Sequence, residues 1–238
     1  MRPAEQAQIW RYIDFAKFAD LLDRKALFFA RADRMNDPWE ASLSLAIEER
    51  HLEKINLQLP PGSYPPRAAE YRAHWQALRR RMFLSCWHLS EHESAAMWGL
   101  YAGREGQGIS LQSTFKRLER ALPNEWQHSI HAGTVSYVDY SSDDIPLGNA
   151  FYRCLYKRTS FEHERELRAI FDTHEDHSPP GFLVPVDLST LVAKIYVAPT
   201  ASPWFAELVE RTTHDHQVTV PVIRSDLLAG PPLPAHKH

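Results

Sequence analysis

The sequence predicts an α+β fold, a single domain with a mixed or mainly antiparallel sheet, flanking helices and a helical hairpin insertion. Three observations predict it. Short β-prone runs alternate irregularly with helical segments, without the even spacing of βαβ units. No internal repeat is present. The length of 238 residues suits one large domain with a sizeable core.

In chain order, residues 1–8 form an extension and the domain runs from 9 to 228. Ile9 to Tyr12 reads as a strand, and Asp14 as the N-cap of a helix carrying Phe15, Phe18, Leu21 and Leu22 at helical spacing. Ala26 to Ala30 is a second strand, followed by a polar loop from Arg31 to Glu40 whose Asn36-Asp37-Pro38 is turn-forming. Residues 44–57 and 67–81 read as two helices around a Pro-rich turn, a hairpin inserted over 44–81. Met82 to Trp87 is a buried strand. Ser90 and Glu93 match a capping box that opens a helix through Met97, Trp98 and Tyr101, with Gly103 closing it. Gly106 and Gly108 lead into a strand at Ile109 to Gln112, and Ser113 or Thr114 caps a helix ending at Leu122. Thr134 to Tyr140 reads as one strand, and a helix follows near 148–157. The segment from Phe161 to Phe171 fits helix and strand equally. Strands follow at Leu183 to Val186, Ala193 to Val197 and Val218 to Ile223, with a helix from Ser202-Pro203 before the last. Residues 229–238 are expected to be a disordered tail.

Charge narrows the function classes. The 27 Lys and Arg against 30 Asp and Glu leave −3, which excludes the broad basic surface of non-specific nucleic-acid binding. The two cysteines, Cys86 and Cys154, sit in apolar surroundings and read as reduced, buried thiols. No run approaches a membrane span, and the first residues lack the apolar core of a signal peptide, so a cytoplasmic location is expected.

Four segments together resemble the bacterial domain-of-unknown-function family numbered 2971. They are Trp10-Arg11-Tyr12; Leu27 to Arg31 running into Asn36-Asp37-Pro38-Trp39-Glu40; Ser85-Cys86-Trp87 with Ser94 to Trp98 and Tyr101; and Lys157 through Phe161 to Arg168. The match spans about residues 9–225. It carries no settled activity and implies only which residues form a common pattern.

Chemistry is read from the residues. In Glu164-x-Glu166-x-Arg168, a strand would put both carboxylates and the guanidinium on one face with Leu167, Ala169 and Phe171 toward the core. A helix would instead make Glu164 and Arg168 an i,i+4 pair on a solvated face. Two carboxylates whose pKa values are pushed apart suit acid–base or oxocarbenium-stabilising work. Neutralising a strand-borne Glu166 is then expected to leave melting nearly unchanged. An Arg on the first strand, a hydroxyl pair ending a central strand and an E-x-E, here Arg11, Ser113 with Thr114, and Glu164 to Glu166, resemble in order the arginine-serine-glutamate ADP-ribosyltransferases, though Gln112-Ser113-Thr114 stands where that family has Ser-Thr-Ser. The resemblance implies NAD as substrate, Arg11 on its phosphates and Glu166 on the nicotinamide ribose.

His88-Leu89-Ser90-Glu91-His92 matches the H-x-x-E-H zinc motif, but a helix starting after His88 would separate the two histidines, and no metal is expected. Trp87, Trp98 and Tyr101 suit base stacking or core packing. Gly103-x-x-Gly106-x-Gly108 follows a helix and fails as a dinucleotide loop. The expected cleft is lined by Arg11 and Tyr12; by Arg31, Asn36, Asp37 and Glu40; by Ser85, Trp87, Trp98, Tyr101 and Ser113; and by Arg168, with Glu164 and Glu166 catalytic. Three readings stand: a nucleotide-using enzyme of the NAD-dependent ADP-ribosyltransferase kind; a non-catalytic module that binds a nucleotide, nucleic acid or protein in the same cleft; and a metal-dependent hydrolase.

Overall fold

The computed structural model describes residues 2–101, 106–146, 148–175 and 179–231. Asp14 ends β1 (Gln8–Asp14) and starts α1 (Phe15–Arg24), its carboxylate accepting the Lys17 N–H at 2.8 Å. Lys25, in the left-handed region, stops the helix and turns the chain into β2 (Ala26–Arg31). The polar loop holds a single 3-10 turn at Ala32–Arg34. The helices α2 (Leu45–Gln58) and α3 (Ala68–Arg79) follow, the first capped by the Ser44 hydroxyl. Next come β3 (Met82–Leu89), α4 (Ala95–Tyr101), β4 (Gly108–Thr114), α5 (Phe115–Ala121) and α6 (Asn124–Gln127). The chain continues through β5 (His131–Thr134), β6 (Ser136–Val138), β7 (Tyr156–Arg158) and β8 (Glu166–Asp172). It ends in β9 (Gly181–Pro185), α7 (Leu188–Leu191), β10 (Lys194–Val197), α8 (Pro203–Asp215) and β11 (Val222–Arg224).

The main sheet has the order β11-β10-β4-β1-β3-β2-β9, with β8 also pairing β3 and β5 pairing β8. Its ladders are antiparallel except β10–β11, and a separate parallel pair joins β6 to β7. The architecture is therefore α+β. Side chains of α1, α5, α7 and α8 share one core with the sheet, including Leu167, Ala169 and Phe171 of β8. In the same core, α4 packs Trp98 edge-on against Tyr12 of β1, centroids 5.0 Å apart.

Several boundaries differ from expectation, and others decide between alternatives the sequence left open. Ser94, not Ser90, caps α4: its hydroxyl accepts the Met97 N–H, while the Ser90 hydroxyl accepts from His92 in the preceding turn. Thr114 caps α5 through the Arg117 N–H. The run from Thr134 to Tyr140 divides because Thr134 pairs with Leu167 of β8, whereas Ser136 pairs with Tyr156 of β7. The helix expected near 148–157 is a 3-10 turn, Ala150–Leu155. The ambiguous 161–171 stretch is part 3-10 turn, Thr159–Glu164, and part strand. Val218 closes the end of α8 by donating to Thr213, so the last strand begins only at Val222. The expected closing residue Gly103 and most of the 229–238 tail lie outside the described residues. No helix among the described residues is long and apolar enough to cross a membrane.

Candidate functional site

The site sits where the sheet splits. One edge of β3 pairs with β8 from Met82 opposite Asp172 to His88 opposite Glu166. Along the other edge, β2 lies opposite Phe83 and Leu84 while β1 lies opposite His88 and Leu89, leaving Ser85 to Trp87 between the two ladders. Arg11 spans this gap. Its guanidinium donates to the Ser85 hydroxyl and, at 3.1 Å, to the Phe28 carbonyl, and stands 5.5 Å from the Trp87 ring centre. A cavity of about 230 Å³ opens beside it, walled by Arg11, Tyr12 and Phe28, by Trp87, His88 and Tyr101, and at its acidic end by Lys157, Glu164 and Glu166. Gly181 of β9 makes room for the Phe28 ring, since a Cβ there would lie 2.0 Å from it.

The acidic end is the terminus of a buried row of alternating charge. Arg168 is fully buried on β8. It donates to both oxygens of Glu166 (2.8 and 3.0 Å), to both of Glu40 (2.5 and 2.8 Å), and to the Cys154 carbonyl at 2.6 Å. Lys157 donates to Glu166 at 2.8 Å and also to Glu164, which accepts the Tyr101 hydroxyl at 2.5 Å. Such a row persists in a low-dielectric interior only because each carboxylate meets a cation. Glu166 also donates its N–H to the Tyr137 hydroxyl.

The two carboxylates titrate apart. Burial raises Glu164, and the neighbouring Glu166 adds to the rise. Burial alone would raise Glu166 too, but Arg168 and Lys157 hold it well below the usual carboxylate range. Glu166 is thus held as a fixed anion, while the titration of its neighbour moves the other way. Burial, the Glu164 bond and both carboxylate charges push the Tyr101 hydroxyl upward, so it stays a donor.

The structure brings Arg11, Tyr12, Trp87, Tyr101, Glu164 and Glu166 to one cavity and places the other expected residues elsewhere. Glu164 does so from the end of the 3-10 turn rather than from a strand. Glu40 and Arg168 are sealed against each other. Asp37 accepts from Arg158 and from the Trp39 N–H, Arg31 pairs with Asp33, and Asn36 is an exposed turn residue. Trp98 is buried, its indole N–H given to Glu93. The Ser85 hydroxyl is taken up by Arg11, and Ser113 donates to the Leu191 carbonyl at 2.5 Å in the core, remote from the cavity lining. Both cysteines are unpaired; Cys154 is buried, and Cys86, partly buried, lines the cavity.

Two wall residues, Lys157 and His88, were not singled out as site residues from the sequence. Lys157 heads the fourth family-like segment, yet nothing in residue spacing reveals that β7 will hold it between two glutamates. His88 drew notice only through H-x-x-E-H. It lies on β3 rather than on a helix, and among the described residues no group of three or more His, Cys, Asp or Glu is placed to hold a metal.

The fold and site thus define an α+β protein with a carboxylate-rich cavity at a split in its sheet. No family model matches the chain and no curated protein matches it, so the likeness to the family numbered 2971 has no support from those comparisons. Solved structures of DarT from Thermus sp. 2.9, in complex with carba-NAD+, with NAD+ and with ADP-ribosylated ssDNA, are similar at 9–10% identity. The likeness covers 93–94% of this chain and 96–98% of those chains, with TM-scores of 0.41–0.43. Likeness at that level assigns no chemistry, which rests on the cavity itself.

Proposed function

We propose that the cavity receives the nicotinamide-ribose end of NAD and that the protein transfers ADP-ribose to an acceptor. The observation that supports this is the pair Glu164 and Glu166, shared by one Lys157 and titrating in opposite directions at the wall of the cavity. Glycosidic cleavage that expels nicotinamide develops positive charge at the ribose, and a pre-positioned anion in a dry site stabilises it without reorganisation. Glu166, kept ionised, supplies that anion. The cavity is smaller than the roughly 300–1,000 Å³ of sites that engulf drug-sized ligands, so only one end of a dinucleotide enters. Arg11 engages two partners among its five N–H donors and keeps others for a pyrophosphate outside.

One observation favours the non-catalytic reading. The Glu166 oxygens already accept from Lys157 and Arg168, as a purely structural ion pair would require. The two readings separate on nicotinamide release from NAD. For the transferase, wild type binds and consumes NAD, and Glu166→Gln, assayed below its own melting transition, retains NAD binding by calorimetry while release falls at least 100-fold. Wild-type protein that neither binds nor consumes NAD returns the cavity to the binding-module reading.

A further inference from the structure

His88 projects from β3 into the cavity with its Nδ1 2.7 Å from the Glu164 carbonyl oxygen. A carbonyl only accepts, so Nδ1 carries the proton and Nε2 of the neutral ring holds a bare lone pair. Among the described residues, Nε2 has no hydrogen-bond partner. Each of the other ionisable wall groups is already a cation, held protonated, or paired with a cation. Arg11 and Lys157 are cations. Burial pushes Tyr12 up to about 12 and raises Cys86 and Tyr101 as well, so all three stay protonated. Both glutamates are engaged by Lys157, with Tyr101 or Arg168 beside them. Burial lowers His88 itself, and Arg165 and His163 act in the same sense against the pull of the Glu164 carbonyl, which keeps the ring neutral near pH 7.

We infer that His88 is a general base whose Nε2 takes the proton from the acceptor atom as that atom bonds to ribose C1′. This rests on the transferase reading. The acceptor lone pair forms the bond to C1′, the C1′–nicotinamide bond breaks with its electron pair leaving on the ring nitrogen, and the acceptor proton passes to Nε2 and then to water. No oxidant or reductant is involved. The base implies an acceptor class: a neutral X–H nucleophile, a hydroxyl or ring N–H, that is weak until it loses its proton. A carboxylate acceptor needs no such base.

The test compares two simple nucleophiles, methanol, which must lose a proton, and azide, which has none to lose. His88→Gln keeps a donor for the Glu164 carbonyl but removes the base. Its methanolysis of NAD should fall at least 100-fold. The azide reaction should stay within a few-fold of wild type, which also reports an intact fold. The wild-type methanolysis rate should decline on the acid side below pH ~6.5, and the variant should lose that limb. Nitrogen-15 spectra of the wild type should show the His88 Nδ1–H tautomer. Wild-type methanolysis with an unchanged acid limb in the variant, or a protonated Nε2 in neutral His88, overturns the inference while leaving the transferase reading standing. Wild-type protein that cleaves NAD with neither nucleophile overturns that reading, and the assigned base with it.

Discussion

Arg165 adopts φ 42° and ψ 57°, left-handed values that cost a non-glycine residue roughly 1 kcal/mol or more. The conformation ends the 3-10 turn and launches β8, so that Glu164 before it and Glu166 after it both reach Lys157. Leu89 anchors the bend by donating to the Arg165 carbonyl at 2.8 Å. Arg165→Gly should therefore leave stability unchanged or raise it by up to about 1 kcal/mol. Arg165→Val should lower it by roughly 1–3 kcal/mol. Urea midpoints of the two variants decide this, and equal midpoints would remove the argument. Residue spacing made the acidic pair and Arg168 legible, because they lie within one short motif. The turn that joins the two glutamates was not, since an unbroken strand would put them on the same face just as well.

The α2–α3 hairpin is tied to the body through a buried histidine. His51 Nε2 lies 2.7 Å from the Ile145 carbonyl, so it carries the proton, and Nδ1 accepts the Tyr71 hydroxyl at 2.9 Å. Tyr71 in turn accepts from Arg153 at 2.6 Å. Burial lowers the His51 pKa, and the Ile145 carbonyl and Asp144 oppose it while Arg153 and Lys54 assist. With the folded value below the unfolded ~6.5, the unfolded chain binds more protons. Stability is thus complete above pH ~6.5 and drains away as pH falls from there through the folded value. Amides of α2 and α3 should exchange faster at pH 5 than at pH 7 after correction for intrinsic rates, with β3 unaffected. His51→Leu should abolish that difference at a cost of about 1–3 kcal/mol from its stranded partners; a difference that survives the substitution excludes His51 as its source. At this scale helices with a local start signal and apolar spacing, such as α1 behind its Asp14 cap, were readable in the sequence. The 134–140 run was not, because which sheet claims each half depends on partners far along the chain.

Across the molecule, Arg168 ties two other pieces to its own strand β8, the loop after β2 through Glu40 and the 3-10 turn of 150–155 through the Cys154 carbonyl, while also pairing with Glu166 two residues before it. This overturns the expectation that Glu166 is cheap to neutralise. Arg168→Met would leave Glu40 and Glu166 buried without their shared cation, at about 3–5 kcal/mol, or roughly 6–20 °C in Tm for a chain this long. Calorimetric melting reads it, and a shift of a degree or two would mean the row contributes little. By itself the sequence determined the α+β class, most helices and strands, and the acidic motif with Arg11, all of which follow from periodicity, caps and side-chain type within a few residues. Only the tertiary structure decided that β1 and β2 part along β3, that Arg11 spans the gap, and that Lys157 and His88 meet Glu164 there. Those meetings depend on strand pairings across tens of residues, where hydrogen-bond register, and not local pattern, selects the partner.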